Sequence, residues 1–393
     1  KPQTPNPKPQ TPNPKPQRSN NMEEDLGTVI QDSVLKYTQS VNFGLITKQE
    51  NRQTTYALYS SAINISQQKE MGKAGAVFLG SSGEEFEDLR IVKKIGQGGF
   101  SEVFQAVDEK TKKEYAMRLC TIDGKNFTQE RANKEIEVYN QLRHIDHPNI
   151  AKVYSAKIIS SVEESKETQS LQVIMELGVC TLEDVFKTRI KNSKPWTEIE
   201  LLHIAAMLVH PLLIAKEHGI SHRDLSLNNV ILANDLKHYK LIDFAEAKTA
   251  SHDLEEIPIV GKLKYMAPEI LKLMEQIRAA KAGGKSPTGS KIKIDYDPEK
   301  ADVFSLGIVI GSLCCLELLD GSTAPEVYKK KLGQVQKEYP RIHSMLVDML
   351  NPVPNLRKDL RRLHEEILSY SADMSKLQFF ELEFESGLKI GRA

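Results

Sequence analysis

From Leu89 onward, apolar and polar residues alternate through "LRIVKKIGQGGFSEVFQAVDEKTKKEYAMRLC" around two turn signals, a pattern that predicts three successive antiparallel strands. The period then lengthens. Asn126 to His144 reads as a helix with Ile136, Tyr139 and Leu142 toward one face. "SVEESKETQS", residues 161 to 170, reads as a polar loop between a strand ending at Ile159 and another beginning at Leu171. This stretch is expected to be mostly sheet with one helix. Farther on, Thr197 followed by Glu200 forms a capping box ahead of Leu201, Leu202, Ile204, Ala205 and Leu208, with Gly219 as the stop and Pro211 as an expected kink or break. Val230 to Leu232 and Tyr239 to Ile242, joined through Asn234-Asp235, predict a small hairpin. Helices alternate with loops beyond it, and residues 279 to 291, "AAKAGGKSPTGSK", read as a flexible basic insertion.

The two ends follow different rules. Residues 1 to 17 repeat KPQTPNP twice and begin it again, and proline at that density blocks helix and sheet, so an extended spacer is expected. Pro2 to Pro5 forms a PxxP pattern beside lysines, which an SH3-like partner would take, although a plain linker is the preferred reading. Residues 18 to 87 are a polar extension with no assignable structure, and 361 to 393 form a tail in which Phe380, Leu382 and Phe384 alternate with glutamates.

Composition narrows the function classes. The chain has 393 residues, 40% hydrophobic and 27% charged, enough for one large two-part domain. Lysine plus arginine equals aspartate plus glutamate at 53 each, so bulk charge points neither to nucleic acid nor to a membrane surface. Cys120, Cys180, Cys314 and Cys315 have no paired metal spacing and do not form a secreted disulfide framework, which suits a cytoplasmic or nuclear protein. The most apolar stretches, Leu201 to Ala215 and Phe304 to Leu319, read as buried helices rather than membrane spans. No signal peptide is expected at Lys1. His144 and His147 have HxxH spacing but lack a nearby cluster of further ligands, so packing is preferred over zinc.

Candidate chemistry begins at the turn between the first two strands, Gly96-Gln97-Gly98-Gly99-Phe100-Ser101 with Val103 following. Glycines there let a backbone approach phosphates closely, although a plain glycine-rich hairpin turn gives the same pattern. A strand rather than a helix follows, unlike a dinucleotide-binding turn. Downstream, "GISHRDLSLNNVIL" sets Asn229 five residues after Asp224, and Asp243-Phe244-Ala245 comes fourteen residues after Asn229, behind the apolar pair Leu241-Ile242. A carboxylate that accepts a hydroxyl proton and oxygen ligands for Mg²⁺ are what phosphoryl transfer requires.

These motifs resemble those of the eukaryotic protein kinase superfamily. Glu135, Met175-Glu176-Leu177, "YMAPE", "ADVFSLG" and Arg357 fall in the family's order, and the resemblance covers residues 90 to 358, about two-thirds of the chain. It implies an α+β bilobal fold, a β-rich lobe over 88 to 177 and a helical lobe over 178 to 360. It further implies ATP and Mg²⁺ as cofactors and a protein as substrate. By the same resemblance Asp224 is the catalytic base, Asn229 and Asp243 are the magnesium ligands, and Glu135 partners the strand-three cation. Met175 gates the adenine pocket, the backbone of Glu176 and Leu177 bonds adenine, and Val103 and Ala116 sandwich its ring.

Several positions depart from the family. Arg118 stands where lysine is usual, and an arginine fork does not place its charge as a lysine does, so weakened chemistry is expected more than lost nucleotide binding. Ser226 replaces the lysine two positions after Asp224, and Lys262 replaces the threonine after Gly261. In the family fold those positions approach the base from opposite sides, so the exchange is expected to keep one cation and one hydroxyl beside Asp224. Ala245 replaces a glycine, which is harmless only at negative φ. Arg223 is retained, and Thr249, Ser251 or the acidic Asp253, Glu255 and Glu256 would be its activation-segment partners. Two readings result: a kinase acting on serine and threonine hydroxyls, or a nucleotide-binding pseudokinase serving as scaffold or allosteric regulator.

Overall fold

A computed structural model describes residue 86 and residues 89–99, 101–163, 166–247, 261–282 and 296–370. The expected spacer and Thr249, Ser251, Asp253, Glu255 and Glu256 lie outside those residues, as do nearly all of the polar extension and most of the basic insertion. Of the expected tail, 371 to 393 lie outside as well, whereas 361 to 369 belong to a helix that starts at Leu360 and buries Leu363 and Ile367, so the helical lobe runs past residue 360.

Five antiparallel strands form the first layer: β1 (Leu89–Gln97), β2 (Ser101–Asp108), β3 (Glu114–Thr121), β4 (Val153–Glu163) and β5 (Lys166–Glu176), in the order β1-β2-β3-β5-β4. The three strands expected from Leu89 are present. The expected loop over 161 to 170 is instead a continuing hairpin, with Ser161 opposite Thr168 and Glu163 opposite Lys166. Strand β3 ends at Thr121 opposite Ser170, the Ile122 N–H makes one last bond to the Gln169 carbonyl at 2.8 Å, and β4 and β5 continue beyond it as a pair. The run SVEESKETQS has one apolar residue, so a ribbon paired there through its backbone shows no alternation and reads as a loop.

Helix α1 (Gln129–Leu142) starts later than its pattern suggests because Asp123 accepts the backbone N–H groups of Lys125, Asn126 and Phe127, and Thr128 caps the helix. Its buried face is Ala132, Glu135, Val138, Tyr139 and Leu142, with Ile136 only half-buried. The face is thus turned toward a carboxylate that periodicity alone would place outside.

The remaining layers are helical. The two-residue strand β6 (Cys180–Thr181), α2 (Leu182–Lys191), α3 (Glu198–Glu217), β7 (Val230–Leu232) and β8 (Tyr239–Leu241) precede α4 (Pro268–Ala282), with the three strands forming a small sheet in the order β6-β7-β8. After them come α5 (Pro298–Cys315), α6 (Pro325–Val335), α7 (Pro340–Met349) and α8 (Leu360–Ser369). The capping box at Thr197 and Glu200 forms as expected, and Gly219 takes φ 75° after the helix end. Pro211 neither breaks nor splits α3, which runs as one helix of 20 residues. Leu208, Val209, Leu212 and Leu213 around it are all buried, and this packing holds the helix through the lost hydrogen bond. By length and composition α3 could cross a membrane, but it lies among α5, α7, α8 and β8. This is the α+β, two-part arrangement that the resemblance implies.

Two polar clusters tie the helices together. Arg357 and Glu269 form a double hydrogen bond of 2.7 and 2.8 Å, the guanidinium also donates to the carbonyls of Asn351 and Lys300, and the Arg357 side chain is fully buried. His147 on the loop after α1 lies 2.7 Å from His210 of α3, whose ring stacks on His364 of α8. The backbone N–H of Asn149 donates to His147 Nδ1, so His147 donates from Nε2 to His210 Nδ1. The HxxH pair is therefore split: His147 packs inward, and His144 is exposed.

Two stability predictions follow from this packing. Replacing Glu269 by alanine strands a buried guanidinium, and equilibrium urea unfolding should show a loss of about 3 to 5 kcal/mol; a loss under about 1 kcal/mol would mean that water reaches the pair. Burial lowers the pKa of His147 to about 4 and that of His210 to about 3, and lowers that of His364. The nearby Asp146 and Glu217 oppose the shift at His147 and His364 respectively. The unfolded chain thus takes up protons below about pH 6.5 while the folded one does not, so this stability is present above that pH and lost as pH falls toward 4. Unfolding curves between pH 7 and 4.5 should show a slope that His210→Gln makes shallower.

Candidate active site

Residues 222 to 229 sit between α3 and β7, and one carboxylate sets their course. Asp302, buried in the second turn of α5, accepts the backbone N–H groups of His222 and Arg223, each at 2.8 Å. Burial pushes its carboxyl upward, against the two N–H groups and the neighbouring His222. Arg223 takes a left-handed φ of 67°, which L-residues seldom adopt without support. His222 Nδ1 faces the backbone N–H of Asp224 at 3.4 Å, so Nε2 carries the proton toward the Ile242 carbonyl at 3.0 Å. A single imidazole therefore sets the strand end at Asp243 relative to Asp224.

Asp224 is the centre of the cluster. Asn229 Nδ2 donates to its Oδ2 at 2.9 Å and to its carbonyl at 2.7 Å. Lys262 donates its backbone N–H to Oδ1 and its Nζ to Oδ2, both at 3.1 Å, and Nζ also reaches Ser226 Oγ at 2.8 Å. The cation and hydroxyl expected on opposite sides of Asp224 are in direct contact. Asp243 follows β8 with φ 60°, and Ala245 is absent from the positive-φ residues, so its methyl carries no backbone penalty.

The upper wall comes from the sheet and α1. Arg118 on β3 donates Nη1 to Glu135 Oε2 at 2.7 Å, and both side chains are buried. Burial works against the Arg118 charge, but Tyr139, Asp243 and Glu135 outweigh it and hold its pKa well above the ordinary range. Arg131, one turn before Glu135, pairs with Glu246 just past Asp243, so charges alternate from β3 through α1 to the turn after β8. Three buried polar atoms here have no hydrogen-bond partner: Arg118 Nε, Glu135 Oε1 and the Tyr139 hydroxyl. Sequence reasoning marked Tyr139 only as part of the packed helix face and did not mark Glu246. Tyr139 stands four residues after Glu135 on one helix face, a spacing that would have flagged it.

Across the sheet Val103 pairs with Arg118, and Ala116 with Met175, which brings the expected ring-sandwiching and gating residues onto neighbouring strands. Gly96 faces Val103, and Gly98 N–H bonds the Ser101 carbonyl at 2.7 Å. A Cβ on Gly99 would meet nothing within 4 Å, and its φ is not positive, so the fold itself does not require glycine there. That open space suits the close approach of a phosphate. Phe100 lies outside the described residues. At the hinge, the Glu176 N–H is spent on the Lys152 carbonyl at 2.8 Å, so that atom is not available to adenine; the Glu176 carbonyl and Leu177 backbone are the remaining expected contacts.

Comparison with known proteins agrees with this geometry. The family model described as "Protein kinase domain" matches residues 89–374. A probable myosin light chain kinase of Dictyostelium discoideum is 30% identical over 230 residues, 58% of this chain and 63% of its own length. Serine/threonine-protein kinase PLK4 of Xenopus laevis is 31% identical over 49% of this chain and 19% of its own length. Dual specificity protein kinase TTK of Mus musculus is 30% identical over 56% and 23%. The chain thus spans less than two thirds of each of these relatives. With the family model matching most of its length and the Asp224, Asn229 and Asp243 cluster assembled on the expected fold, the chain belongs to the eukaryotic protein kinase superfamily.

Proposed function

We propose that the chain transfers the γ-phosphate of ATP to serine or threonine hydroxyls of protein substrates. The observation that carries this reading is the state of Asp224: its carboxylate is oriented by Asn229 and Lys262 at hydrogen-bond distance, beside a strand end that presents Asp243. A carboxylate held in this way accepts the hydroxyl proton as the oxygen attacks phosphorus, and fixed geometry supplies much of the catalysis of phosphoryl transfer.

The residues present fit Mg²⁺. Asn229 spends its amide nitrogen on Asp224, which leaves the carboxamide oxygen, and Asp243 offers carboxylate oxygens; hard oxygen donors of this kind are what Mg²⁺ takes. When bound, the ion offsets charge on the phosphates. The open space at Gly99 leaves room for a phosphate beside the turn.

The pseudokinase reading has one observation in its favour: Arg118 is engaged with Glu135 and so ties β3 to α1. A planar fork bound to a carboxylate contacts phosphate less flexibly than a lysine amine does. The active reading is preferred because base and metal groups are harder to replace than a cation whose charge is retained.

ATP-Mg²⁺ transfer onto a generic protein substrate separates the two. Measurable transfer is expected in the natural chain, with a gain of about tenfold or more in Arg118→Lys and a loss of about a hundredfold or more in Asp224→Asn. No transfer in the natural chain together with transfer in Arg118→Lys would overturn the active reading. Thermal-shift titration should show ATP-Mg²⁺ raising the melting temperature of both the natural chain and Asp224→Asn.

A further inference from the structure

The geometry points to Lys262 as the catalytic cation that grips the phosphoryl group during transfer, delivered to Asp224 from the segment after Gly261 instead of from the loop that carries the base. This assignment rests on the phosphotransfer reading and deepens it. Between Asp224 and Asn229, Ser226 brings no charge, and its side chain is fully buried. Lys262 Nζ lies over it at 2.8 Å and reaches Asp224 Oδ2 at 3.1 Å. A lysine built at Ser226 would put a second ammonium into a sealed site already faced by Lys262, so the two positions cannot both hold the cation.

The nearby arginines have other tasks. Arg118 is tied to Glu135, and Arg223 lies near Glu246 and donates a side-chain hydrogen bond to Tyr296. Lys262 differs from both. Its side chain is 44% exposed whereas that of Asp224 is 15% exposed, so the ammonium remains open to a ligand while it touches the base. A partly exposed lysine–aspartate pair contributes little to stability, which leaves a role toward a ligand as the stronger account of three converging contacts.

The chemistry balances without any change in Lys262. As the substrate hydroxyl oxygen bonds to the γ-phosphorus, its proton passes to Asp224, the bond from that phosphorus to the β–γ bridging oxygen breaks, and ADP leaves with the electron pair. Lys262 keeps its three protons and offsets charge on the transferred oxygens, an interaction strongest at the transition state.

Gly261 makes the approach possible. Its φ is +105°, and a Cβ there would lie 2.8 Å from the Arg223 carbonyl, so only glycine lets the chain pass this close to the base. Base and cation therefore come together only when this segment lies against the loop at Asp224.

The test measures affinity for ATP and for ADP, each with Mg²⁺, by calorimetry on the full chain, alongside transfer rates. Lys262→Met should weaken ATP about tenfold or more, leave ADP unchanged, and lower transfer about a hundredfold or more. Gly261→Ala, which displaces the charge without removing it, should produce the same ATP-selective loss. The double variant Ser226→Lys with Lys262→Thr, which moves the cation to the other segment, should recover ATP affinity and transfer relative to Lys262→Met. Equal effects on ATP and ADP, no effect on either, or a folded double variant without recovery would overturn the assignment. Absence of binding by both nucleotides in the natural chain would instead overturn the phosphotransfer reading, and this assignment with it.

Discussion

The geometry of the site depends on one buried carboxylate. Asp302 takes two backbone N–H groups from a loop eighty residues earlier in the chain, and those two bonds hold Arg223 in a backbone region it would otherwise leave. A left-handed residue costs about 1 to 2 kcal/mol, which hydrogen bonds to a charged acceptor can offset. Once His222 and Arg223 are fixed, Asp224 has one direction in which to project. Through the His222 ring the same constraint extends to Ile242 and to Asp243 beyond it.

Helices α3 and α5 make that constraint rigid, since each is buried over most of its surface and they pack on each other. Arg357 closes the platform from below by bonding Glu269 and two main-chain carbonyls at once. Above the cleft a different principle operates. The alternating chain Arg118, Glu135, Arg131 and Glu246 joins β3, α1 and the turn after β8 by charge, so the position of α1 is coupled to the residues that follow Asp243.

Much of this was legible in the sequence because it is local. The strands from Leu89, the capping box at Thr197, the stop at Gly219 and the spacing of Asp224, Asn229 and Asp243 are written within short windows. The β4–β5 ribbon was not, because its almost wholly polar sequence leaves no alternation to read. The continuity of α3 through Pro211 was not, because propensity argues for a break and tertiary packing prevents it. The contact of Lys262 with Ser226 showed only as two departures from a family pattern, 36 residues apart. The grip of Asp302 on the Arg223 backbone and the Arg131–Glu246 pair are long-range arrangements that no local window contains.

The arginine on β3 also changes the chemical reactivity of the cleft. A guanidinium held well above its ordinary pKa by surrounding negative groups has no lone pair to offer an electrophile, whereas a lysine amine in that place would. Reagents that acylate or form imines with the strand-three amine of a nucleotide site would find nothing to modify at Arg118. Lys262 at the mouth of the site keeps a partly exposed amine. Covalent labelling of this cleft would therefore fall on Lys262 instead of the strand-three position, and the extent of labelling would report how far that amine is shielded.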